Sequence, residues 1–94
     1  MAKVVEKKVP AFVTDLLEAI EQRIPGATTD VERIEGLDHY AWRVAVLSDH
    51  FREMDFDDRH DEVWRIAKES MEAHRLNRIA SIICLSPEEL QGED

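Results

Sequence analysis

The stretch Trp42-Arg43-Val44-Ala45-Val46-Leu47-Ser48-Asp49-His50-Phe51-Arg52-Glu53-Met54-Asp55-Phe56-Asp57-Asp58-Arg59-His60 decides how this chain is read. Its first residues alternate and are rich in β-branched side chains, the pattern of a strand. Trp42, Val44 and Val46 point to one side, and Arg43, Ala45 and Leu47 to the other. A charged loop follows, with two isolated aromatics, Phe51 and Phe56, expected to pin it. Arg59 and His60 then lead into Val63, Ile66, Ala67, Ser70 and Met71, which have helical spacing, with Trp64 at the edge of the stripe. Asp57 or Asp58 is expected to cap this helix, which should run out around Arg75, Leu76 and Asn77.

Upstream, Val9, Phe12, Val13, Leu16, Leu17, Ile20 and Ile24 recur at intervals of three and four and predict a helix over 10–24. Pro10 suits the first turn, where its missing N–H is not needed, and Pro25-Gly26 ends the helix. Residues 27–34 form a weaker strand pattern, and 35–39 a turn built on Gly36 and Asp38. Strands over 27–34 and 40–48 joined by so short a turn should pair antiparallel.

Downstream, residues 79–85 are almost uninterruptedly apolar. That fits a strand covered on both faces, or one with a single side under helices. Ser86-Pro87-Glu88-Glu89 then has the form of a helix start, with Ser86 as cap and Glu89 three residues beyond it. The order helix, strand, strand, helix, strand and short terminal helix predicts an α+β sandwich, a three-stranded sheet with its helices on one face. One domain over 1–94 is expected, with 1–8 and 91–94 fraying.

Composition narrows the function. A single cysteine, Cys84, permits no internal disulfide, and no apolar run approaches the length of a bilayer span. Lys3, Lys7 and Lys8 are not followed by the apolar core of a signal peptide, so a cytoplasmic protein is expected. The net charge of −9 disfavours nucleic acid, whose binding rests on neutralising phosphates. A nucleic-acid surface would require Arg43, Arg59, Arg65, Arg75 and Arg78 to gather on one face.

The carboxylates and histidines between Asp49 and Glu62 bring metal sites to mind. They lack the residue order of a calcium loop and any His-Glu-x-x-His element, so they read as a solvated helix start. His60 is either a local hydrogen-bonding residue or, with Arg59, a contact for a partner or ligand. Arg59 fits better as a fork onto a nearby carboxylate than as a phosphate reader. Cys84 reads as a buried, unreactive thiol, and Trp42 and Trp64 as core. Gly26, Gly36 and Gly92 form no phosphate loop, Ser48 has no nucleophile-elbow context, and no nucleophile–base pair can be assembled. An enzyme is not expected.

The spacing of the first stretch resembles that of the BolA family. Phe51 stands three residues after Ser48, Phe56 five after Phe51, and Arg59-His60 eight and nine after Phe51. Leu85-Ser86-Pro87-Glu88-Glu89 is similar to the Leu-Thr-Pro-Glu that follows the family's last strand. The resemblance covers about 12–90 and implies a class II KH-like sheet topology. It also implies a non-enzymatic regulator of stress response and morphology. Some such proteins bind DNA; others partner monothiol glutaredoxins and help hold or pass on iron–sulfur clusters.

For cluster work the family uses a His or Cys between the first two strands and a His just before the last strand. His39 fits the first role, but counting back from Pro87 puts Arg78 in the second. A guanidinium stays protonated and has no lone pair for iron, which leaves His74 as the stand-in. Glu53 also stands where the family has Gly. Three expectations follow. The first is an adaptor acting with a monothiol glutaredoxin, requiring no cofactor of its own but sharing a cluster through His39 or His74. The second is a KH-like nucleic-acid regulator. The third is an interaction module that has lost the metal chemistry, contacting its partner through Arg59, His60 and Arg78. A monomer or weak homodimer away from membranes is expected in each case.

Overall fold

A computed structural model of the chain describes residues 9–35 and 40–91. Helix α1 (Ala11–Arg23) begins directly after Pro10 and buries Val13, Leu16 and Ile20, the centre of the stripe read from the sequence. Its end is closed by the N–H of Ile24 on the Ile20 carbonyl. Gly26 then takes φ 66°, a conformation that costs a residue with a Cβ but not glycine.

Strands β1 (Thr28–Glu35) and β2 (Tyr40–Leu47) pair antiparallel from Thr28 opposite Leu47 to Glu35 opposite Tyr40. The turn between them, with Gly36, Asp38 and His39, lies outside the described residues, as do 1–8 and 92–94. Strand β3 (Ile79–Leu85) lies parallel to the other side of β2, giving a mixed sheet in the order β1-β2-β3. The register slips by one residue beside Trp42 and Arg43, so Trp42 faces Ile79 while Val44 faces Ile82 and Val46 faces Cys84.

That register sorts the side chains by face. Val31, Trp42, Val44, Val46, Ile79, Ile82 and Cys84 lie under the helices with Val13, Leu16, Ile20, Val63, Ile66 and Ala67. Each fully buried aliphatic here contributes on the order of 1.5–3 kcal/mol relative to exposure. Alternation puts Arg43, Ala45, Ile83 and Leu85 on the opposite, open face. Strand β3 is therefore covered on one side only, and Ile83 remains 40% exposed.

The second long helix departs from the sequence reading at both ends. Helix α2 runs Phe56–Ser70, and its cap is Asp55, whose carboxylate accepts the Asp58 N–H, not Asp57 or Asp58. The chain leaves the helix at Met71, which turns extended and packs against the core. A separate turn, α3 (Ala73–Leu76), places Leu76 against the same core. No glycine or proline stands between Ser70 and Ala73 to mark the gap in the sequence. The last helix, α4 (Pro87–Gln91), starts as expected: the Ser86 N–H donates to Glu89 Oε1 at 2.9 Å, and the Glu89 N–H to Ser86 Oγ at 3.4 Å. Among the described residues no helix is long and apolar enough to cross a membrane.

Candidate interaction site

The site grows from the end of β2. Ser48 is buried, and its hydroxyl donates to the Pro25 carbonyl at 2.6 Å while accepting the His50 N–H at 3.0 Å. One side chain thus ties β2 to the α1–β1 corner and starts a single 3₁₀ turn over Asp49–Phe51. That turn drives Phe51 fully into the core. Phe56 behaves differently. It stays 66% exposed, so the loop has one aromatic pin, not two. Phe56 is the first residue of α2 and faces outward, its ring 5.5 Å from the Arg59 guanidinium.

Arg59 is the keystone of the segment. It is 4% exposed, and its hydrogen bonds reach the preceding loop, β3 and α4. Nε donates to the Met54 carbonyl at 2.9 Å, and Nη1 to the Cys84 carbonyl at 3.2 Å. Nη1 and Nη2 also fork onto the Glu89 carboxylate at 2.7 and 3.0 Å. Hydrogen bonds from the guanidinium and from the Ser86 backbone hold the Glu89 carboxyl down at about 2, well below its ordinary range. The Glu89 bond in turn raises the Arg59 pKa, against the opposing effect of burial. Loop, strand end and terminal helix are thereby clamped at one charged pair.

The same Arg-His couple closes an edge. The Leu85 carbonyl accepts the Ser48 N–H and so faces β2. Alternation turns the carbonyls of Ile82 and Cys84 toward the free side of β3. His60 Nε2 lies 2.8 Å from the Ile82 carbonyl, and Arg59 takes that of Cys84. Two adjacent residues at a helix start therefore occupy two acceptors of an edge strand that would otherwise be open to another chain. Cys84 itself is buried, and desolvation pushes its thiol up to about 11. It is not a nucleophile in the folded chain at neutral pH.

The expected site residues separate. Arg59 is withdrawn into the fold by Glu89 and presents no guanidinium to a partner or to nucleic acid. Arg43 lies on the open sheet face, paired with Glu32 at 2.9 Å. Arg65 sits on α2 in a shallow depression with Asp61, Trp64 and Lys68. Arg75 and Arg78 line a further cleft that none of the other three arginines lines. His60 stays at the surface while bonded to β3. His39 lies outside the described residues, and among those described no group of three metal-ligating side chains forms.

Two expected residues do come together. His74 and Arg78 line one open cleft of about 350 Å³ with Arg75, Pro10, Ala11 and Phe12. Phe12 holds the Arg75 guanidinium 5.5 Å above its ring, and His74 faces Glu72 at 3.4 Å. The backbone of Arg78 is fixed on both sides, its N–H on Arg75 and its carbonyl accepting the Trp42 N–H at 2.8 Å.

Sequence reasoning missed the role of Glu89 as the partner of Arg59. The Ser86-x-x-Glu89 spacing identified a capping residue, and nothing in that spacing says the carboxylate also reaches thirty residues back. The pairing of His50 with Glu62 at 3.1 Å was hidden for the same reason.

The architecture is matched among solved structures. The chain superposes on the solution structure of the XC975 protein with a TM-score of 0.55 at 23% identity, covering 88% of this chain and 98% of that one. It also superposes on a bol-like protein from Babesia bovis with a TM-score of 0.53 at 19% identity, covering 93% and 94% of the two chains. No protein-family model matches the sequence, and no curated protein does. The fold is BolA-like.

Proposed function

We propose that this chain, built on a BolA-like fold, is a non-enzymatic adaptor that docks a protein partner at the end of the molecule where α3 meets β3. One observation carries the reading. The residue before β3, where the resemblance calls for a cluster-ligating histidine, is Arg78, and it opens with His74 onto a cleft rather than into the core. An arginine there recognises a partner by charge and hydrogen bonding and donates nothing to a metal. The clamp around Arg59 supports a scaffold role, since its polar groups are turned inward and satisfy one another.

On the resemblance, the partner is a monothiol glutaredoxin that keeps its iron–sulfur cluster on its own ligands. The test is anaerobic co-expression of the two proteins followed by size-exclusion chromatography and visible spectroscopy. Co-elution with the glutaredoxin's absorbance bands unaltered is the expected result. Bands altered in a way that depends on His39 or His74 would restore the shared-cluster reading, and failure to co-elute would remove the glutaredoxin from the proposal.

A further inference from the structure

The chain carries far more acid than base, yet its basic residues are not evenly neutralised. Arg23, Arg43, Arg52 and Arg59 each meet a carboxylate: Glu69, Glu32, Asp49 with Glu88, and Glu89. Arg33, Arg65, Lys68, Arg75 and Arg78 have no such partner among the described residues, and of these Arg75 and Arg78 share one cleft, at the start of α1. Lining one cleft, the two carry like charges close together, an arrangement that is unfavourable without a counter-charge.

Among the described residues the cleft does not supply that counter-charge. Its opposite wall is Pro10, Ala11 and Phe12, and the first turn of α1 contains no acidic residue. Glu72, the residue before α3, is turned to His74. The Arg75 guanidinium is held over the Phe12 ring, and the backbone that carries Arg78 is fixed by its bonds to Arg75 and Trp42. A guanidinium so positioned offers a planar fork of donors, which matches the oxygens of a phosphate or carboxylate.

We infer that the Arg75–Arg78 cleft is an oxyanion-binding site, taking a phosphate or carboxylate group between the two guanidiniums and the Phe12 wall. The inference rests on the adaptor reading only for where that group comes from. The site itself is tested without any partner, so the two fail separately.

The experiment is a titration of the ¹⁵N-labelled chain at neutral pH with inorganic phosphate, with acetate, and with sodium chloride at matched ionic strength. Saturable amide shifts confined to residues 11–12 and 74–78 are expected, with chloride producing none of them. Phosphate binding well ahead of acetate assigns the site to phosphate groups, and equal binding assigns it to carboxylates. Arg75→Gln and Arg78→Gln should each weaken binding about tenfold or more, and Arg65→Gln should leave it unchanged. Linear shifts indistinguishable from those in chloride, shifts centred elsewhere, or an equal loss in Arg65→Gln would each overturn the assignment.

Discussion

Arg59 and Glu89 meet as a two-pronged ion pair, at 2.7 and 3.0 Å, with the guanidinium buried and the carboxylate at the rim. The pair joins the first turn of α2 to the terminal helix, and it exists only in the folded chain. The buried member decides its energetics. Removing Arg59 also strips the carbonyls of Met54 and Cys84 of their donor. Arg59→Met should therefore lower stability by about 2–4 kcal/mol, measured by urea unfolding. Glu89→Gln keeps a hydrogen-bonding side chain beside Ser86 and should cost clearly less. The reverse order would mean that Arg59 does not hold the three elements together.

Acid should act through the same pair. The Glu89 carboxyl titrates at about 2 in the fold, against an ordinary value of 4.5. Its folded pKa is depressed, so its stabilisation is complete above pH 4.5 and drains away as pH falls toward 2. Unfolding midpoints measured across that window should fall more steeply for the native chain than for Glu89→Gln. Parallel curves would show that the pair is broken in solution.

The two phenylalanines of the loop illustrate what spacing does and does not reveal. Both looked like pins, because each is an isolated aromatic in a charged run. Only Phe51 follows the 3₁₀ turn inward; Phe56 begins a helix whose inward face is set by Val63 and Ile66. Phe51→Ala should cost about 3–5 kcal/mol, and Phe56→Ala should stay within about 0.5 kcal/mol. Comparable losses in thermal unfolding would contradict these placements.

What was legible in the sequence was the set of features governed by local period and local chemistry. The stripe of α1, the alternation of β2, the Ser86 cap and the antiparallel pairing of β1 with β2 all follow from neighbours a few residues apart. The break after Ser70 was not legible, because no glycine or proline stands between Ser70 and Ala73 to mark it. The true cap, Asp55, stood among Asp57 and Asp58 with equal chemical merit. Glu89 and Arg78 gain their meaning from strand order. Only the placement of β3 beside β2 brings Arg59 to one and opens a cleft beside the other.

Burial of Cys84 makes a kinetic prediction. A thiol pushed from 9.0 to about 11 has a thiolate fraction near pH 8 lower on the order of a hundredfold than an unperturbed thiol. Alkylation by iodoacetamide should be slow in the native chain and fast in urea. Rapid native labelling would show that β3 opens at this position far more often than its packing implies.

The edge of β3 gives the most direct reading of the Arg-His couple. His60 is an exposed residue yet occupies the Ile82 carbonyl, while Arg59 occupies the next outward one. His60→Ala frees the Ile82 acceptor without disturbing Phe51 or the Glu89 fork. The loss of one hydrogen bond should cost about 0.5–1.5 kcal/mol. The larger effect should be on association, since an edge strand with an open carbonyl, next to the exposed Ile83, can pair with another copy. Sedimentation velocity over a range of concentrations should show self-association in His60→Ala beyond that of the native chain. Restoration of native behaviour in His60→Gln, which returns a donor but no imidazole, would assign the effect to the hydrogen bond. Unchanged sedimentation in His60→Ala would mean that neighbouring side chains already block the edge and that the histidine is kept for another purpose.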